Sequence, residues 1–391
     1  MRFAPAASVA PSQIRAIADF AEDYPGTLRL FYGEDTLPTP AFIKAAGRRG
    51  IADNLTYYAP NAGYPELRRT IAAQVHRLHG IDVDPMREVV VTASGMAAIN
   101  LACQATVGPG TSALVLTPLW PNVAAAIRVT GAEVIEVPFP LAGSGDGLHF
   151  ALDFDRLESA VRPDTRLLAL ASPSNPTAWT ATADDWTRLV AFCERHDLWL
   201  LADGVYERIV FDSPVAPSPL TIPGARDRTI AVQSFSKAYR MTGWRIGYAI
   251  APPELAARMT FLQEFVVSHA FGATQEAARV ALIDGEPFVR EAQARYAKHA
   301  AIAVDRFRRL DGIDVPRPTG AFYVFPRLAG LRDSFALCER LVREHRLGLA
   351  PGSAFGLGGE GHIRLCFAVD EATLIEAIDR FESAWADGIL D

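Results

Sequence analysis

VQSFSKAYRMTGWRIGY, residues 232–248, is the stretch on which the reading of this chain turns. An apolar run gives way to Ser234 and Ser236, Lys237 follows at once, and Arg245 stands eight residues further on, before a second apolar run. A lysine set directly behind a buried strand is desolvated, which disfavours its ammonium form and frees the amine to attack an aldehyde. For a lysine taken at random, a surface position beside a carboxylate is the ordinary alternative.

Outward from this stretch, short apolar runs alternate with segments of helical period, the pattern of an α/β protein with a largely parallel sheet. The spacing predicts strands over 88–92, 113–117, 133–137, 166–171, 199–202, 229–233 and 245–250, most of them continuous apolar runs suited to cover on both faces. Helices are predicted over 96–106, 120–130 and 184–196, the last capped by Thr182. The fold expected is a large domain, residues 41–286, with a mostly parallel seven-stranded sheet sandwiched by helices. A smaller α+β domain follows over 287–391, opened by a charged helix at 287–309 and containing a strand at 321–325. Residues 1–40 are expected to join that smaller domain, and the proline-rich segment 212–228 reads as a surface loop.

The 391 residues are half apolar, enough for one large or two moderate cores. A net charge of −7 without any basic block argues against a nucleic-acid or anionic-membrane surface. No run approaches the ~18 apolar residues of a membrane span. Cys103, Cys193, Cys338 and Cys366 are scattered with no CxxC pair, which fits a reducing, cytoplasmic setting and no zinc site. The opening MRFAPAASVAP is broken by Pro5 and Pro11 and does not read as a signal peptide. GLGGEG at 356–361 matches a dinucleotide fingerprint literally but precedes a strand-like run instead of opening a helix, so that reading fails. HExxH, GxSxG and Walker motifs are missing from the sequence.

Ligands of open α/β sheets bind outside the carboxyl ends of the strands, and the polar residues there are informative. In ASGMAAINLA, Ser94 and Gly95 precede a helix whose free amides suit a phosphate; taken alone, a capped strand-to-helix turn is the commoner explanation. Asn175 precedes Pro176 in SPSNPTAW, where turn chemistry suffices. Asp203 ends the apolar run of LWLLADGVYERI, three residues before Tyr206, and a carboxylate that deep needs a cationic or hydrogen-bonding partner.

In order along the chain, YAPNAG at 58–63 followed by Leu67 and Arg68, SGM at 94–96, SPSNPT, ADGVY, the lysine stretch and HIRLCFA at 362–368 form an ordered set. Together they resemble the class I/II pyridoxal-phosphate aminotransferases of fold type I, the aspartate-aminotransferase-like group, over nearly the whole chain. The resemblance implies that Lys237 holds pyridoxal 5′-phosphate as a Schiff base and moves the substrate proton. It implies that Asp203 pairs with the pyridine nitrogen, that Tyr206 and Asn175 bond the ring oxygen, and that Trp120 stacks on the ring; an aromatic there is otherwise plain packing. The phosphate falls to Ser94, the amides of Gly95 and Met96, Ser234, Ser236 and Arg245. Tyr58 is expected to reach it from a second subunit, which implies a homodimer with shared sites. Arg364 would clamp the substrate carboxylate, with Asn175 assisting and Gly33 lining the site.

The activity implied is amino transfer from an amino acid to a 2-oxo acid by a ping-pong cycle; a lyase or decarboxylase of the same fold keeps the same cofactor residues. Met96, Gly204 and Ala178 depart from the commoner family residues. No residue matches the second arginine of dicarboxylate-specific members. The side-chain pocket, drawn in this family from the N-terminal segment, loops near 265–272 and the partner subunit, is not placed by spacing.

Overall fold

The computed structural model describes residues 9–390. Continuous apolar runs satisfy their backbone only by pairing and hide their side chains only when both faces are covered. Seven of them do so in one sheet: β1 (Val89–Thr92), β2 (Ser112–Thr117), β3 (Glu133–Pro138), β4 (Thr165–Ala171), β5 (Trp199–Asp203), β6 (Thr229–Ser234) and β7 (Gly247–Ile250). Their order across the sheet is β1-β7-β6-β5-β4-β2-β3. From β6 to β3 every neighbour is parallel, while β7 is antiparallel to both β1 and β6.

Alternate residues of each strand enter different cores, as the two-residue period requires. Ala113, Val115 and Leu167 pack with Ala98 and Ile127 on one face, whereas Leu114, Leu168 and Leu200 pack with Trp186 and Leu189 on the other. The helices lie where expected: Gly95–Thr106, Pro121–Val129 and Ala183–Arg195, the last opened by a capping box of Thr182 and Asp185.

Two expectations need correction. β7 begins at Gly247, not at residue 245, because Arg245 takes a left-handed conformation (φ 51°, ψ 62°) that breaks the strand. Gly247 must be a glycine, since a Cβ there would stand 2.5 Å from the Gly95 amide nitrogen. The segment 212–228 is not wholly a surface loop: Ala216 is buried, as are Pro219, Leu220 and Ala225 in two short 3-10 turns, and the Trp186 indole donates to the Pro217 carbonyl at 2.9 Å.

Beyond the sheet, the 22-residue helix Glu286–Phe307 packs on Glu371–Ala386 through Phe307 and Phe381, whose rings lie 4.8 Å apart, and through Arg306, which binds Asp379 and Glu382. Tyr323–Val324, Ile363–Cys366 and Ala350–Pro351 form a three-stranded antiparallel sheet. Leu28–Arg29 pairs in parallel with Leu347–Gly348, so the N-terminal part of the chain is stitched to the C-terminal part. Residues 356–361 form a loop, not a helix start, and the Leu357 amide donates to Glu136 at 2.7 Å on the sheet edge. Among the described residues, no helix is long and apolar enough to cross a membrane.

Candidate active site

Across the parallel strands the direction of winding reverses between β4 and β2, since β3 lies to one side of β2 and β5 and β6 lie beyond β4. Such a switch leaves a crevice at the carboxyl ends. A cavity of about 670 Å3 opens there. Its walls come from the turns that follow the strands: Gly95 and Met96 after β1, Trp120 after β2, Asn175 after β4, Asp203 at the end of β5, and Ser234, Ser236 and Lys237 at the end of β6. Arg245 joins from the turn before β7, and Gly33 and Arg364 from the far ends of the chain.

Lys237 donates from Nζ to the Gly33 carbonyl at 2.5 Å, and its ammonium lies 5.8 Å from the Tyr206 ring centre. Burial pushes its pKa down to about 8; nearby Arg364 acts in the same sense, while Glu34 and Asp203 oppose. Burial raises the Asp203 carboxyl to about 6, against the Val205 amide that donates to it at 3.2 Å and the attraction of Lys237. A lysine and an aspartate so placed are each partly stripped of charge, the state in which a further polar group gains most by binding.

Arg364, 1 % exposed, donates from Nη1 to Asn175 Oδ1 at 2.8 Å and from Nη2 to the Phe31 carbonyl. Its guanidinium lies 4.6 Å over the Tyr323 ring, and its Nε is buried with no partner among the described residues. The Tyr206 and Tyr323 hydroxyls meet at 2.6 Å, and burial holds both phenols well above their ordinary range. Gly33 is confined by the same group, because a Cβ there would overlap the Tyr323 hydroxyl.

At the other end, Ser94 caps the helix Gly95–Thr106, its hydroxyl accepting from the Ala97 amide at 3.0 Å, and lies just behind the cavity wall. Ser234 donates to Ser236 at 2.9 Å, and among the described residues Arg245 reaches only the Thr242 carbonyl, at 2.6 Å. A helix N-terminus, two hydroxyls and a guanidinium without a carboxylate partner among the described residues make an anion cradle. Four basic side chains, Arg15, Lys237, Arg245 and Arg364, face two acidic ones, Glu34 and Asp203, so the cavity as a whole favours an anion.

Tyr58 does not reach the cavity of its own chain: it is 92 % exposed, its ring edge-on to His269 at 5.9 Å. Tyr323, Glu34 and Arg15 line the cavity without having been singled out from the sequence. Tyr323 sits in AFYVF, which reads only as core. No group of three histidine, cysteine or acidic side chains able to hold a metal occurs among the described residues.

Residues 29–381 match the family model described as aminotransferase class I and II. The chain belongs to that family. Among similar proteins, the aromatic-amino-acid aminotransferase 2 of Thermococcus litoralis is 33 % identical over 96 % of this chain and 95 % of its own length. The aspartate aminotransferase of Pyrococcus abyssi is 33 % identical with the same coverages. The aspartate aminotransferase of Thermus thermophilus, solved with maleate, superposes with a TM-score of 0.89 at 31 % identity, over 98 % of this aminotransferase and 100 % of that chain. The names of these relatives agree on amino transfer and differ on the amino acid.

Proposed function

We propose that this aminotransferase binds pyridoxal 5′-phosphate covalently through Lys237 and carries the amino group of an amino acid to a 2-oxo acid in a ping-pong cycle. The observation that carries the reading is the meeting of three unlike groups in one cavity: an anion cradle at Ser234, Ser236 and Arg245, an amine at Lys237 and a carboxylate at Asp203. They match a molecule with a phosphate, an aldehyde and a basic ring nitrogen. The buried, unpartnered Nε of Arg364 fits a second anion, the substrate carboxylate.

When bound, pyridoxal phosphate supplies an aldehyde for the amine and a ring that accepts electrons from the α-carbon. The rest falls to this chain. Lys237, with a pKa of about 8, is neutral in about a tenth of molecules at pH 7, so Nζ can take a proton from the α-carbon and return it nearby. Asp203, ionised above pH 6 and steadied further by a cationic partner, keeps the ring nitrogen protonated. Tyr206 and Asn175 would donate to the ring oxygen, Trp120 would cover one ring face, and Ser94, with the amides of Gly95 and Met96, would add to the phosphate grip. Arg364 and Asn175 fix the carboxylate, with Gly33 closing the cavity opposite Tyr323.

The same reading includes a homodimer. Tyr58, Phe265, Val266 and Phe271 are exposed apolar side chains, and a second depression lined by Val267, His269 and Phe271 shares Arg245 with the cavity. Tyr58 of a second copy entering there would meet the phosphate. The division into a large domain (41–286), a small domain (287–391) and a joining segment (1–40, of which residues 1–8 lie outside the described structure), and a cytoplasmic setting for a chain with four free, buried cysteines, belong to this reading as well. No observation favours the lyase or decarboxylase alternative.

The test is direct. Incubated with amino acids and 2-oxoglutarate, the protein should form glutamate, and Lys237→Ala should lose both that activity and the visible absorption of the bound cofactor. Release of ammonia or pyruvate without oxo-acid-dependent transfer would sink the assignment.

A further inference from the structure

The lysine turn is held by a buried charge that the chemistry does not use. Asp35, its side chain 2 % exposed, accepts on Oδ2 from Arg240 Nε at 2.7 Å, from Arg295 Nη2 and from the Tyr296 hydroxyl, and on Oδ1 from the Leu37 amide at 2.9 Å. Its partners sit on different bodies. Arg240 lies three residues after Lys237, in a left-handed turn (φ 52°), whereas Arg295 and Tyr296 belong to the helix Glu286–Phe307.

Further bonds follow the same course. The Thr39 hydroxyl donates to the Arg240 carbonyl at 2.5 Å and accepts from the Trp244 indole at 3.1 Å, and the Thr36 amide donates to the Ala368 carbonyl at 3.0 Å. Residues 31–39 therefore run as a strap over the lysine turn, tied near its middle, at Thr36, to Ala368, two residues past the strand Ile363–Cys366 that carries Arg364. The strap supplies two acceptors to the cavity: the Gly33 carbonyl to Lys237 and the Phe31 carbonyl to Arg364.

We propose that Asp35 is a positioning residue, the pin that fixes this strap against the lysine turn and the helix, and so aims Arg364 at the substrate carboxylate. The proposal rests on the reading of Arg364 given above. One carboxylate joining two guanidiniums and a phenol is a cooperative junction: removing its charge leaves two partly buried cations facing each other and frees all three bodies at once. Arg295 shows the asymmetry already, since its Nε and Nη1 have no partner among the described residues and depend on Asp35 for compensation.

The experiment is Asp35→Asn in the cofactor-loaded protein, followed by steady-state kinetics and by backbone hydrogen exchange. Loss of a charge-assisted bond of this kind should raise KM for the amino acid about tenfold with kcat changed less than about threefold. Exchange should quicken together over 31–39 and 237–245. Thr182→Ala, which weakens a helix cap away from the cavity, is the control for general destabilisation and should leave KM unchanged. If the asparagine variant does not fold, Arg240→Met, which keeps Asp35 paired with Arg295 and Tyr296, should show the same changes at smaller size. A folded variant with wild-type KM and unaltered exchange over 31–39 overturns the proposal. Wild-type protein that takes up no cofactor would instead defeat the functional reading, and exchange in the cofactor-free protein would still decide whether the strap is pinned.

Discussion

Replacing Arg364 by lysine tests the carboxylate site most sharply, because it keeps the charge and removes the fork. The guanidinium now holds Asn175 with one nitrogen and the Phe31 carbonyl with another, stacks over Tyr323, and has Nε to spare. An ammonium can occupy one of these directions at a time. A planar two-point grip on a carboxylate would lose one of its charge-assisted bonds, about 1.5–3 kcal/mol. At ~1.4 kcal/mol per factor of ten, KM should rise roughly ten- to hundredfold. A carboxylate held there would be gripped equally before and during the reaction, so kcat should change much less. The amino acid and the 2-oxo acid carry the same carboxylate, and both KM values should rise in parallel when each half of the cycle is assayed separately. The positive charge that helps depress Lys237 persists, so the pH at which Lys237 titrates should hold, whereas Arg364→Leu should let it rise. Unchanged KM for both partners, or a loss carried entirely by kcat, would refute the assignment.

Two further outcomes follow from the same geometry. Lys237 titrates near 8 in the folded chain against 10.5 when free, so the fold holds fewer protons between those values and the penalty is full below pH 8 and fades towards pH 10.5. Lys237→Met in the cofactor-free protein should therefore gain roughly 2–3 kcal/mol in urea unfolding at pH 7, and clearly less at pH 10; an equal gain at both pH values would contradict the desolvation argument. Arg245→Ala should weaken pyridoxal phosphate binding about tenfold while leaving the affinity for pyridoxal, which lacks the phosphate, unchanged in a direct titration; an equal loss for both would remove Arg245 from the anion cradle.

The sheet was legible because its strands are continuous apolar runs bounded by polar turns, and such runs have few other fates. The start of β7 was not, since Arg245 leaves the strand through a backbone conformation that its side chain does not announce. The buried part of 212–228 was missed for a related reason: proline marks turns whether or not the turn is covered. Within the cavity, residues at strand ends could be named in advance because the fold class fixes where strand ends go. Tyr323 could not, standing among aromatic neighbours as one more core side chain. The Asp35 junction left no local signal at all, its arginines lying 205 and 260 residues away; only closure of the whole chain makes those charges neighbours.

That closure bears on how the protein is made. Arg364 and Phe31, which meet in the cavity wall, are separated by 333 residues. During synthesis the sheet has all seven strands once Ile250 is out, yet the cavity still lacks Arg364 and Tyr323 from its wall. Both cores that cover the sheet also draw on residues beyond 250, from Ala270 to Val289 on one side and as far as Ile389 on the other, so the sheet and the cavity are completed together, late in synthesis.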